Sequence, residues 1–160
     1  MPHSETPHHA EDLEVGSAYD LGSSTVTRDE IVAFARQWDP QGFHVDDDVA
    51  AAGFFGEVIA SGVHSVAILQ RLCVLGAYDG WAVVAGRDMA DLRFRRPVRP
   101  GAELTGHLVV ESVDLARSDR GTVTVGVRLT EQDAGEEHTV LSLRTTMDVW
   151  RRGHGPHDAA

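Results

Sequence analysis

Residues 61–76 read SGVHSVAILQRLCVLG: a serine able to cap a helix, a glycine, then a run from Val63 to Leu75 that ends at Gly76. The run carries Val63, Val66, Ala67, Ile68, Leu69, Leu72, Cys73, Val74 and Leu75. It is long enough for a helix and apolar on nearly every side, so it calls for other structure wrapped around it. Downstream the periodicity changes from helical to alternating. Val123, Val125, Val127 and Leu129 alternate with polar or small residues, as do Leu141, Leu143, Thr145, Met147 and Val149. Each series marks a half-buried antiparallel strand. Leu104 to Val113 and Met89 to Phe94 add two more strands, and the polar segments 115–121 and 131–137 read as hairpin loops. A sheet with one face packed on a long apolar helix is an α+β layer arrangement. Its bare edge strands favour pairing with a second copy, so a homodimer or higher homo-oligomer is expected.

Upstream, Ala18 to Val26 reads as a short strand. Thr27 with Glu30 three residues on forms a capping box, and Ile31, Phe34, Ala35 and Trp38 recur at helical spacing. Asp39-Pro40 ends that helix, because the proline pushes Asp39 out of the helical region and frees its side chain to point elsewhere. A loop, Gln41-Gly42-Phe43-His44, follows. One of Asp46, Asp47 and Asp48 then caps a short helix through Ala52 that ends at Gly53.

Taken singly, the polar residues of this region have ordinary roles. Asp39 is a helix stop, His44 a partly buried loop histidine, Ser61 an N-cap, and His64 a packed histidine with its ring nitrogen on a carbonyl. Together they allow chemistry. Asp39 and His44 lie among Trp38, Phe43 and Val45, a setting in which a carboxylate and an imidazole could hold and polarise one water. The first N–H groups of a helix have no internal partner and carry partial positive charge, so the Gly62 N–H could stabilise an oxygen that becomes negative. Arg93, Arg95 and Arg96 sit in the basic segment 92–101, LRFRRPVRPG. They are either solvated charges or a site for substrate phosphates, for which the planar guanidinium is well suited.

Composition removes several classes. The 160 residues are most simply one domain, residues 15–151, between flexible tails at 1–14 and 152–160. With 25 acidic residues against 14 basic, the net charge is −11, which disfavours nucleic acid and anionic membrane as partners. Every basic residue other than histidine is Arg; without Lys there is no Walker-type phosphate loop and no Schiff base. Cys73 is the only cysteine, so no intrachain disulfide forms, and its apolar neighbours suggest a packed thiol. Nucleophile elbows, dinucleotide loops and zinc-type spacings are missing, and no metal is expected. No segment approaches the roughly eighteen apolar residues of a membrane span, and the N-terminus lacks a signal-peptide core, so the expected compartment is the cytoplasm.

Three segments, WDPQGFHVD (38–46), IASGVHS (59–65) and DLRFRRPVRPG (91–101), together resemble the MaoC-like family of R-specific enoyl-CoA hydratases, which have the hot-dog fold. The resemblance covers roughly Val15 to Trp150. Asp39, His44 and Asp46 match the family pattern Asp-x-Asn-Pro-x-His-x-Asp, and Ala60-Ser61-Gly62 matches its Ala-x-Gly. Gln41 stands where the family has Asn, and Gly42 where it has Pro. Both shape the segment that places His44, and Gly42 is expected to loosen it.

The resemblance implies that Asp39 and His44 hold the water that adds to C3 of a trans-2-enoyl thioester, one of them taking its proton and returning a proton at C2. It implies that the Gly62 N–H polarises the thioester carbonyl. The reverse reaction dehydrates an (R)-3-hydroxyacyl thioester. Coenzyme A enters as part of the acyl-CoA substrate, and no separate cofactor is implied. Ser61, His64, Phe54, Phe55, Arg93, Arg95 and Arg96 are the expected substrate-binding residues, with Phe54 and Phe55 shaping the acyl tunnel. Two rivals share the architecture. A hot-dog acyl-CoA thioesterase commonly takes a carboxylate from the central helix, and Val63 to Leu75 contains none. A non-catalytic acyl-thioester-binding subunit is the other.

Overall fold

The computed structural model describes residues 6–156. Strand β1 (Ala18–Thr25) leads into helix α1 (Arg28–Trp38), the short helices α2 (Gly42–Val45) and α3 (Asp47–Ala52), and the long helix α4 (Gly62–Gly76). Four strands follow: β2 (Val83–Phe94), β3 (Glu103–Asp114), β4 (Arg120–Asp133) and β5 (Glu136–Trp150). They form one antiparallel sheet in the order β1-β3-β4-β5-β2. The α+β reading holds: α4 packs on β1, β3 and β4, with Leu69, Leu72 and Cys73 in the shared core. Burying each such leucine contributes about 2 kcal/mol.

The alternating residues of β4 and β5 point inward as expected. Val123, Val125 and Leu129 are inaccessible, and so are Leu141 and Val149. Cys73 is packed, and burial pushes its thiol up to about 11, leaving it protonated and inert at neutral pH. No helix among the described residues is long and apolar enough to cross a membrane.

The structure corrects several expectations. Helix α4 is not wrapped on all sides: Val63, Ala67, Arg71, Val74 and Leu75 are exposed along one face, because the sheet curls around the other. Strand β2 extends six residues upstream of Met89, and its alternation is broken by register shifts after Val83, Gly86 and Ala90. As the sheet edge it is exposed along nearly its whole length, including Val84, Met89, Leu92 and Phe94. Segment 131–137 is mostly strand, with the turn confined to Ala134 and Gly135, both at positive φ (51° and 85°). That is the backbone of a two-residue hairpin turn whose twist matches the strands.

The tails are also shorter than expected. His8 pairs with Trp81 as an isolated bridge, and Ala10 and Leu13 are buried in the core. Arg151 pairs with Glu11 at 2.8 Å and Arg152 with Asp12, which ties the end of β5 to the start of the chain. Residues 1–5 and 157–160 lie outside the described residues.

Candidate active site

Local rules bring the site together. Thr27 and Glu30 form the capping box that starts α1, and the helix ends with Asp39 as its C-cap (φ −155°, ψ 69°). This non-helical conformation turns the Asp39 side chain toward the N-terminus of α4. The expected loop at 41–44 is instead helix α2, followed at once by α3, whose cap is Asp46 with Oδ1 accepting the Asp48 and Val49 N–H groups at 3.0 Å. Gly42 tightens this turn rather than loosening it. A Cβ placed there would lie 2.7 Å from Val49 Cγ1, so a side chain at residue 42 would require Val49 to shift.

His44 is thereby held in a buried turn. Its Nδ1 lies 2.6 Å from the Ile59 carbonyl oxygen. A carbonyl can only accept, so Nδ1 carries the proton and Nε2 is the nitrogen left for chemistry. Nε2 faces Asp39 Oδ2 at 3.5 Å. Asp39 accepts two hydrogen bonds, from Ser61 Oγ on Oδ2 at 2.7 Å and from Gln41 Nε2 on Oδ1 at 2.8 Å. Those bonds, Ser61's first, hold its carboxyl below the usual carboxylate range against the opposing effect of desolvation. The carboxylate is 23 % exposed, enough for a ligand to reach it.

Ser61 is the N-cap of α4, with Oγ accepting the Val63 N–H at 3.2 Å. The Gly62 N–H, at the first helical position, has no partner in the helix's own ladder. A Cβ on Gly62 would lie 2.7 Å from Phe94 Cζ, so the glycine lets the end of β2 close over the start of α4.

Asp39, His44 and Gly62 line one cleft of about 410 Å³, walled by Phe55, Phe94, Arg95 and Arg96. Of the residues expected to bind substrate, Phe55, Arg95 and Arg96 are there. Ser61 sits beneath Asp39, fully buried, and touches the carboxylate. His64, Phe54 and Arg93 do not line the cleft. His64 stacks in parallel on Phe34 (4.4 Å, 5°) and joins α4 to α1; burial lowers its pKa, against the pull of Glu30. Phe54 is 96 % exposed, and its ring packs T-shaped with that of Phe55 at 5.1 Å. Arg93 lies on β2 outside the cleft. Arg96 is engaged by Glu131 (3.7 Å) and Asp133 (3.2 Å), whereas Arg95 touches Ser142 Oγ at 3.4 Å and has no carboxylate partner among the described residues.

Among the contributors not expected from the sequence are Phe94 and Gln41. Phe94 carries no signal beyond its place at the end of a strand. Gln41 stood out only as a departure from a family pattern, yet it reaches the Asp39 carboxylate.

The model of the MaoC like domain matches residues 12–133. The chain belongs to the MaoC-like family. A MaoC-like dehydratase from Rhodospirillum rubrum superposes with a TM-score of 0.78 at 34 % identity, covering 90 % of this chain and 97 % of that one. R-hydratase PhaJ1 from Pseudomonas aeruginosa gives 0.67 at 26 %, covering 88 % and 84 %. The 3-hydroxyacyl-thioester dehydratase Z of Mycobacterium tuberculosis is 34 % identical over 98 residues, 58 % of this chain and 65 % of that protein's length. The sheet and central helix are those of the hot-dog fold, and family membership supports hydratase or dehydratase chemistry.

Proposed function

We propose that the protein reversibly hydrates trans-2-enoyl-CoA to (R)-3-hydroxyacyl-CoA. The observation that carries this reading is the 3.5 Å approach of Asp39 Oδ2 to His44 Nε2, with the roles of both groups set by their other hydrogen bonds. Asp39 is an acceptor on both oxygens, and His44 presents a bare Nε2 in its neutral form. A water between them donates one hydrogen to each.

In hydration the water oxygen bonds to C3 as its proton passes to Asp39. The π electrons move onto the thioester oxygen, where the Gly62 N–H and the α4 dipole offset the developing charge. The resulting Asp39 carboxylic acid returns the proton to C2 and restores the carboxylate. Dehydration is the same sequence reversed. The scheme balances without a metal or redox cofactor; CoA enters with the substrate, and Arg95 at the cleft wall is the cation available to its phosphates.

The working unit is a homodimer in this reading. The long β2 edge, and the exposed apolar residues Val63, Val74, Leu75, Val84, Met89 and Leu92, suit a second copy. Offering the two enantiomers of 3-hydroxybutyryl-CoA separately tests the reaction. The R form is expected to give crotonyl-CoA and the S form none; conversion of S alone, or of neither, contradicts the proposal.

A further inference from the structure

Ser61 is fully buried, and the hydration scheme gives it no step. Its hydroxyl nevertheless sits between two elements that the scheme requires. The oxygen accepts the Val63 N–H at the start of α4 and lies 2.7 Å from Asp39 Oδ2. Because that oxygen already receives an N–H, its single proton is free to be donated to Asp39. Gln41 occupies the other carboxylate oxygen through Nε2 at 2.8 Å. The reversed amide would set oxygen against oxygen, so the donor orientation is the only sensible one.

Two donors directed at two carboxylate oxygens distinguish the protonation states of Asp39. The anion accepts both at full strength, whereas a proton on either oxygen makes that oxygen a poorer acceptor and weakens the bond it receives. Around the cleft, the other charged or titratable groups are His44 from α2 and Arg95 and Arg96 just beyond β2; among the described residues no second carboxylate lines it. We infer that Ser61 and Gln41 are positioning residues that hold Asp39 as a carboxylate aimed at His44 Nε2, so that they set the pH below which the site fails. This rests on the reading of Asp39 as the base. Ser61 has the larger share, because one atom both caps α4 and anchors Asp39 across 22 residues of chain. It fixes the base relative to the Gly62 N–H.

The test follows the Asp39 carboxyl carbon by NMR in 13C-aspartate-labelled protein, with the signal assigned by its loss in Asp39→Asn. It is titrated in the wild type, Ser61→Ala and Gln41→Leu. The pH dependence of kcat/KM with crotonyl-CoA is measured on the same proteins. Asp39 is expected to titrate below the ordinary value of 3.8 in the wild type and higher in both variants, with the larger rise in Ser61→Ala. The acidic limb of the rate profile moves upward with it, and kcat falls about tenfold in Ser61→Ala, the scale of one charge-assisted hydrogen bond.

An unchanged Asp39 midpoint in Ser61→Ala overturns the inference. If that buried variant does not fold, Gln41→Leu decides at its exposed position, and an unchanged midpoint there is equally fatal. A shifted midpoint in a protein that leaves crotonyl-CoA untouched removes the hydratase reading and leaves the inference about the carboxylate standing.

Discussion

Asp39 Oδ2 and His44 Nε2 face each other at 3.5 Å, too far for a strong direct hydrogen bond and close enough for both to contact the same water. The separation is set from outside the pair. The Ile59 carbonyl holds His44, and Ser61 with Gln41 holds Asp39. Asp39→Asn and His44→Ala should therefore each lower turnover about a hundredfold or more, the scale of losing a general acid-base group. Circular dichroism should show the fold retained, since neither side chain belongs to the apolar core. Near-wild-type rates in both variants remove the pair from the mechanism.

The two arginines on the cleft wall are predicted to behave differently. Arg95 has no carboxylate partner among the described residues, so Arg95→Ala should raise KM for a CoA thioester more than for the matching pantetheine thioester. Arg96 is committed to Glu131 and Asp133, so Arg96→Ala should change the two KM values alike. Equal effects of Arg95→Ala on both substrates exclude it from phosphate binding.

Asp148 on β5 is nearly buried and is met by Arg87 (3.2 Å), Arg120 (3.3 Å) and Thr122 (3.1 Å). Burial, the largest influence on its carboxyl, would raise the pKa; Arg87, Thr122 and Arg120 together outweigh it, and the net shift is downward. A carboxylate lowered on folding stabilises the fold above its unfolded pKa, and that contribution is lost as pH falls through the lowered folded value. Asp148→Ala should cost about 2 kcal/mol in urea denaturation at neutral pH, kept modest because both arginines reach water. The difference from wild type should shrink as the solution is made acidic enough to protonate Asp148. A constant difference across that range contradicts the assignment.

Much of the scaffold was legible because its signals are local. The Thr27–Glu30 capping box, the Asp39-Pro40 stop, a cap from the Asp46–Asp48 triplet and the alternation in β4 and β5 each act over a few residues, and all stand in the structure, with Asp46 as the cap. What escaped reading depends on distant contacts. Helix α2 has four residues, too few for a periodic signal, and its Gly42 packs against Val49 of the next helix. Strand β2 has no clean period, since it is an edge with three register shifts. Ala10 and Leu13 are too few to mark a core segment in a polar stretch, yet both are buried. The Ser61–Asp39 bond joins residues 22 apart, and spacing alone carries no trace of it.

Ala134 illustrates local strain that the sequence understated. Its φ of 51° is left-handed, which costs an L-residue about 1 kcal/mol and a glycine almost nothing. Ala134→Gly should stabilise the protein by a large part of that amount, read as a higher urea midpoint at unchanged slope. A lower midpoint contradicts the turn geometry.

The most direct measurement is to mix the purified protein with crotonyl-CoA and follow the conjugated enoyl-thioester absorbance, with a free-thiol reagent in a parallel sample. The account predicts loss of the enoyl signal with no thiol released and 3-hydroxybutyryl-CoA as product. Thiol release in step with substrate loss, or an enoyl signal that stays constant, would contradict it.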